Sequence, residues 1–221
     1  KHALTHFFAK IYNNSDNDEK SLAIFLDLSK AFDSVNHNLL ILKLHYYGIR
    51  GFALNWFESY LKNRLVYTQF KATDSPINVT NIGVPQGGIL SPSLYSIYVN
   101  DFSKYIHSEC NAFSIIYADD TTCILKSKYI NDLQNSFSIF FEKTELYFTN
   151  LQLLLNANKT QVMLFGDNHT YQFQAKNNII QNSKDDKYLG LHINNKLTID
   201  PQIEILTKKI SRFFIVFKKI R

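Results

Sequence analysis

Apolar residues first recur at helical spacing: Leu4, Phe7, Phe8 and Ile11 predict an amphipathic helix over "HALTHFFAKIY". A polar loop, "NNSDNDEKS", leads to "LAIFLDL" (22–28), a continuous apolar run of buried-strand type that ends at Asp27. "NHNLLILKLHYYG" predicts a helix closed by Gly48, and "ALNWFESYLKNR" predicts another. "LVYTQFKA" and "INVTNIGV" alternate like strands around the turn-forming "TDSP". "SPSLYSIYVNDFSKYI" predicts one helix with Ser91 as N-cap and Pro92 in its first turn. Two apolar runs around Asp119 and Asp120, in "FSIIYADDTTCILK" (113–126), predict a hairpin with the carboxylates at its tip.

Beyond the hairpin, Ile130, Leu133, Phe137, Phe140 and Phe141 share one face of a long helix from about Lys128 to Asn150. "TQVMLFG" reads as a strand and "KYLGLHIN" as a small hairpin. A last helix is predicted from Asp200 as cap and Pro201 at the first position, with Ile203, Leu206, Ile210, Phe213, Phe217 and Ile220 as its apolar stripe. The expected fold class is α+β, a small antiparallel sheet with helices on one face.

Composition narrows the class. At 221 residues and 45% hydrophobic content the chain can bury a substantial core, and seven glycines with four prolines exclude fibrous and disordered classes. No apolar run reaches the roughly 18 residues of a membrane span, so no membrane partner is expected. Cys110 and Cys123 form neither a disulfide framework nor a zinc spacing, which fits a reducing, intracellular setting. The chain starts at Lys1 and its one methionine is Met163, so a piece of a longer protein is expected. The net charge of +5 is uneven. Residues 208–221 hold Lys208, Lys209, Arg212, Lys218, Lys219 and Arg221 without an acid, which leaves 18 basic against 19 acidic residues elsewhere. Only that segment reads as a phosphate-contacting surface, and a solvated helix face accounts for it equally well.

Three acids stand at predicted strand ends: Asp27, Asp119 and Asp120. Adjacent like charges are tolerable around a cation, and hard ions such as Mg²⁺ take carboxylate oxygens together with substrate phosphates. On the residues alone, three aspartates could equally be caps and turns. "GVPQGGILSP" (83–92) adds a glycine pair before a helix start, where backbone can approach a ligand and a helix N-terminus attracts phosphate. Such a turn also occurs as a plain connection. His2 and His6 lack a third ligand for zinc, while His37 and Cys123 read as packing residues.

In order, "FLDLSKAFDSVNHNLLILKL", "GVPQGGILSPSLYSIYVND", "YADD", "LNANKTQVMLF" and "KYLGLHIN" resemble the successive palm motifs of reverse transcriptases. The wording is similar to the non-LTR (LINE-type, jockey-like) retrotransposon enzymes, over about the whole chain. The resemblance implies a right-hand polymerase palm over 21–199, the end of the fingers over 1–20 and the first, basic thumb helix over 200–221. It implies two magnesium ions, with manganese as a substitute, on Asp27 and Asp119, with Asp120 as companion. The reaction implied is attack of a primer 3′-hydroxyl on the α-phosphate of a deoxynucleotide over an RNA template.

By the same resemblance, Phe32 would block a ribose 2′-hydroxyl, and Gln86 and Gly87 would line the nucleotide and template pocket. Ala118 would lie near the primer end, and Lys159 would protonate or neutralise the leaving pyrophosphate. Tyr188, Leu189 and Gly190 resemble the primer-grip turn, and Asp33 reads as structural. The implied partners are RNA template, DNA primer and dNTPs. An endonuclease and the remaining fingers and thumb are expected in the parent polyprotein, which would work in cytoplasm and nucleus. The short stretch before Asp27 lacks the basic triphosphate-binding residues of the fingers, so poor synthesis by residues 1–221 alone is expected. An inactive element that only binds nucleic acid, a two-metal nuclease or phosphatase, and a group II intron-type enzyme are the alternatives. The intact aspartates, Phe32 with "PQGG", and "SKAFDSVNH" with "YYGIRG" respectively weigh against them.

Overall fold

A computed structural model describes residues 2–71, 73–198, 202–208 and 210–211. In chain order the elements are α1 (His2–Asp16), β1 (Lys20–Leu26), β2 (Leu28–Ser29), α2 (His37–Tyr46), α3 (Phe52–Leu61), β3 (Arg64–Val66), β4 (Gln69–Phe70), β5 (Thr73–Asp74) and β6 (Asn78–Thr80). They continue as α4 (Ser91–Val99), α5 (Phe102–Cys110), β7 (Phe113–Tyr117), β8 (Asp120–Ser127), α6 (Ile130–Asn150), β9 (Leu154–Leu155), β10 (Gln161–Phe165), β11 (Gln172–Ala175), β12 (Asn178–Ser183), β13 (Asp185–Tyr188) and β14 (Leu191–Asn194).

Six strands form the main sheet in the order β11-β12-β10-β1-β8-β7, antiparallel except for the β10–β12 pair. β1 sits in its interior, which explains its unbroken apolar run: Leu22, Ile24 and Leu26 face one core and Ala23 faces the other. The larger core takes Leu40 and Leu44 of α2, Leu94, Tyr95 and Tyr98 of α4, Phe102 of α5, and Leu133, Phe137, Phe140 and Phe141 of α6. The opposite face is covered by α1 through Phe7 and Ile11 and by the β13–β14 hairpin through Tyr188 and Ile193. The expected helix-covered face is therefore present, and a second, smaller core backs the sheet.

Local signals explain most boundaries. The Asn36 side chain caps α2 by accepting from the Leu39 amide at 3.0 Å, and Gly48 just past its end takes φ +93°. The helix expected over 91–106 is two, broken at Asn100–Asp101. There Asp101 accepts from the Lys43 ammonium at 2.9 Å and from the Tyr47 hydroxyl, both on or beside α2. Ser91 is not the N-cap either: Leu90 holds that place, and the Ser91 hydroxyl donates to the Pro85 carbonyl. The alternating stretch at 65–84 forms only short ribbons, β3 with β6 and β4 with β5, with Leu65, Tyr67, Phe70, Ile77 and Val79 exposed. In the C-terminal segment 202–208 and 210–211 are helical. Asp200, Pro201, Lys209, Arg212, Phe213, Phe217, Lys218, Lys219, Ile220 and Arg221 lie outside the described residues. No helix among the described residues is long and apolar enough to cross a membrane.

Candidate active site

The sheet register assembles the acids. β1 pairs with β8 from Lys20↔Ser127 to Leu26↔Thr121, so one further step sets Asp27 opposite Asp120. On the other side β1 pairs Phe25↔Gln161 with β10, and two further steps set Asp27 beside Lys159. The Lys159 ammonium lies 4.0 Å from the Asp27 carboxylate, and the Asp27 carbonyl accepts from the Asn156 amide at 2.8 Å. Tyr117 pairs with Asp120 across a two-residue turn of Ala118 and Asp119, and Ala118 holds φ +54°. Three carboxylates and one lysine thus share the rim formed by the ends of three neighbouring strands.

The charges there are not balanced. The Asp120 carboxyl is held above the usual carboxylate range, by desolvation first and then by the negative charges of Asp119 and Asp27. Uncompensated oxygen donors of this kind fit a hard divalent cation. Among the described residues no group of three or more carboxylate, imidazole or thiol side chains closes into a ready-made metal cage.

Beside the rim opens a cleft of about 570 Å³ lined by Leu28, Lys30, Ala31, Phe32, Gln86, Gly87, Gly88, Ser91, Pro92 and Asp119. Phe32, Gln86, Gly87 and Asp119, drawn from three separate stretches of sequence, therefore face one space. The chain achieves this by strapping 83–86 onto the turn after β2. The Gly83 amide donates to the Val35 carbonyl at 2.8 Å and the Val84 amide to the Phe32 carbonyl at 2.8 Å. The Gly83 carbonyl accepts from buried His37 at 2.7 Å, so His37 packs as expected and also holds the strap. Gly88 leaves room for the Ser91–Pro85 hydrogen bond, since a Cβ there would stand 2.8 Å from the Ser91 hydroxyl oxygen and 3.1 Å from the Pro85 carbonyl oxygen. Gly87 instead has φ +77° and open space around its Cβ position, which leaves the cleft wall bare backbone.

Four participants are not assigned to the site from the sequence, where Asp33 reads as structural and Ser91 as a helix cap. Asp33 does more than shape a turn: both its carboxylate oxygens accept from the Gln86 amide nitrogen, at 2.9 and 3.0 Å, which leaves the Gln86 carbonyl oxygen free for a ligand. Lys30 brings a cation to the cleft wall, and Ser91 pins the turn before α4. Tyr95 lies under Phe32 with ring centroids 4.9 Å apart; its place one turn after Ser91 on α4 was the available signal. Lys159 is beside Asp27 and not among the cleft-lining residues. Tyr188 is buried against Phe7 and Phe25, so it anchors the hairpin while Leu189 and Gly190 form its tip at φ +45° and +85°.

A family model described as reverse transcriptase (RNA-dependent DNA polymerase) matches residues 2–193. The chain is 27% identical over 223 residues to a probable RNA-directed DNA polymerase from transposon BS of Drosophila melanogaster, covering 95% of this chain and 23% of that protein. It is 28% identical over 198 residues to the RNA-directed DNA polymerase from mobile element jockey of the same species, covering 85% and 21%. It spans less than a quarter of the length of these curated relatives. Among solved structures it superposes on apo telomerase from Candida Tropicalis with a TM-score of 0.59, covering 90% of this chain and 36% of that one. At 14% identity this likeness speaks for the fold, which is that of a polymerase palm.

Proposed function

Because the chain belongs to the reverse transcriptase family, we propose that it forms the palm of an RNA-directed DNA polymerase from a non-LTR mobile element. The observation that carries this reading is the single cleft shared by Phe32, Gln86, Gly87 and Asp119, next to the rim of Asp27 and Asp120. In it, residues 21–199 are the palm, 1–20 the end of the fingers, and the helical residues 202–208 belong to the start of the thumb. Template RNA, primer and deoxynucleotides are the substrates of the whole protein, which would work inside the cell, in cytoplasm and nucleus.

Asp27 and Asp119 would hold two magnesium ions, or manganese in their place, with Asp120 as companion. Bound there, the ions would supply charge neutralisation and activation of the attacking hydroxyl. In the reaction the primer O3′–Pα bond forms as the bond from Pα to the pyrophosphate oxygen breaks, and the hydroxyl proton passes to solvent water. The flat face of Phe32 offers a 2′-hydroxyl neither room nor a hydrogen-bond partner. Gln86, oriented by Asp33, presents its carbonyl oxygen, and Gly87 lets a nucleotide approach the backbone. Ala118 keeps the primer side of the turn small. Lys159, held near Asp27, is the donor of a proton or a neutralising charge to the leaving pyrophosphate. The rate advantage comes mostly from alignment and preorganised charge.

The test is primer extension on an RNA template with Mg²⁺, in a protein carrying this chain with its fingers and thumb, beside Asp119→Ala. The expected result is a loss of about a thousandfold or more in the variant. Equal synthesis by the two proteins would refute the assignment.

A further inference from the structure

Phe32 sits on the turn after β2, and a turn by itself does not fix an aromatic ring. Its backbone carbonyl is tied by the Val84 amide, but its half-buried side chain forms part of the cleft wall. What stands behind that ring is Tyr95. The two rings lie 4.9 Å apart at 35°, and Tyr95 is fully buried on α4, a helix packed into the larger core. A close-packed ring of that size cannot retreat without opening a void, so the depth of Phe32 in the cleft is set by Tyr95.

We propose that Tyr95 is a positioning residue for nucleotide sugar selection: its ring holds the Phe32 ring at the height where a 2′-hydroxyl collides and a 2′-hydrogen does not. The inference rests on the reading of Phe32 as the sugar-facing wall. The difference to be sensed is one oxygen atom, so a shift of about 1 Å in the Phe32 ring is enough to admit it.

The hydroxyl of Tyr95 gives an independent handle. It is buried with no hydrogen-bond partner among the described residues, an uncommon state for a polar group in a core. Its pKa is raised, by burial first and then by the negative charge of Asp119, so the hydroxyl remains neutral. Ring packing and hydroxyl chemistry can therefore be separated by substitution.

The experiment measures kcat/KM for a deoxynucleotide and for the matching ribonucleotide in the full polymerase, with Tyr95→Met, Tyr95→Phe, Phe32→Val and the Phe32→Val/Tyr95→Met double variant. Tyr95→Met is expected to lower the deoxy-to-ribo ratio about tenfold, and Phe32→Val to lower it further. The double variant should be no less selective than Phe32→Val alone, because the two side chains act as one unit. Tyr95→Phe, which keeps the ring, should hold the ratio within about twofold of the parent. A Tyr95→Met ratio equal to the parent's, beside a collapsed ratio in Phe32→Val, overturns the role of Tyr95 and leaves the Phe32 wall standing. An unchanged ratio in Phe32→Val overturns both. Loss of selectivity in Tyr95→Phe equal to that in Tyr95→Met overturns the packing argument. Should Tyr95→Met fail to fold, Tyr95→Leu with the same readout takes its place.

Discussion

Gly83→Ala tests how the cleft is held together. Gly83 has φ +77°, and a Cβ there would stand 2.7 Å from the Asp33 carbonyl oxygen and 2.9 Å from two further Asp33 backbone atoms. Alanine in the left-handed region costs about 1–2 kcal/mol. The contact is with backbone and cannot be relieved by rotating a side chain, so overpacking adds about 1–3 kcal/mol. The combined destabilisation is about 2–5 kcal/mol. For a chain of this size that corresponds to a fall in Tm of roughly 4–20 °C. Gly48→Ala is the control, because Gly48 has φ +93° but open space at its Cβ position. Thermal and urea unfolding followed by circular dichroism should place Gly83→Ala below Gly48→Ala by at least about 1 kcal/mol. The same variant should raise KM for the nucleotide, since the clash pushes the Phe32–Asp33 turn away from the strap carrying Gln86. Equal stability of the two alanine variants would refute the close-packing argument.

Two further predictions concern pH and charge. Asp120 is held above the usual carboxylate range by desolvation and by Asp119 and Asp27, so its ionisation destabilises the metal-free fold as pH rises from about 4 through the raised value. Asp120→Asn should therefore raise Tm at neutral pH and shrink the Tm gain on adding Mg²⁺; an undiminished gain contradicts this. Asp167 is held well below the usual range, first by the His169 backbone amide, then by side-chain hydrogen bonds from His169, Lys20 and Tyr171. Its stabilisation is complete above about pH 4 and is lost as pH falls through the lowered value, so Asp167→Asn should flatten acid unfolding of the parent, which a pH series of Tm reads directly.

Periodicity was a good guide where a single neighbour decided the structure. The stripe of Leu133, Phe137, Phe140 and Phe141 forecast α6, and the unbroken run in β1 forecast an interior strand. It failed where distant residues intervened. The helix from Ser91 breaks at Asn100–Asp101, where Asp101 meets Lys43, 58 positions away. The alternation at 65–84 lacked a sheet to join, so its apolar residues remain exposed on short ribbons. The site divides in the same way. Motif order marked Asp27, Phe32, Gln86, Gly87, Asp119 and Asp120, but Asp33 binding Gln86 across 53 positions and Tyr95 backing Phe32 are visible only when the chain is folded.

The rim of like charges is possible because of what lies beneath it. Both faces of β1 are buried, so a slip of one residue would exchange the contents of two cores, and its register is correspondingly firm. β1 is held by seven paired positions to β8 and five to β10. That register, and not any attraction among the side chains, sets Asp27 between Asp120 and Lys159. Burial first, and then the charges of Asp119 and Asp27, raise the pKa of the Asp120 carboxyl, and the sheet holds the carboxylates together regardless. A site built this way is poised before any ligand arrives. The energy that a cation and a phosphate would recover by neutralising it has already been spent in folding the sheet.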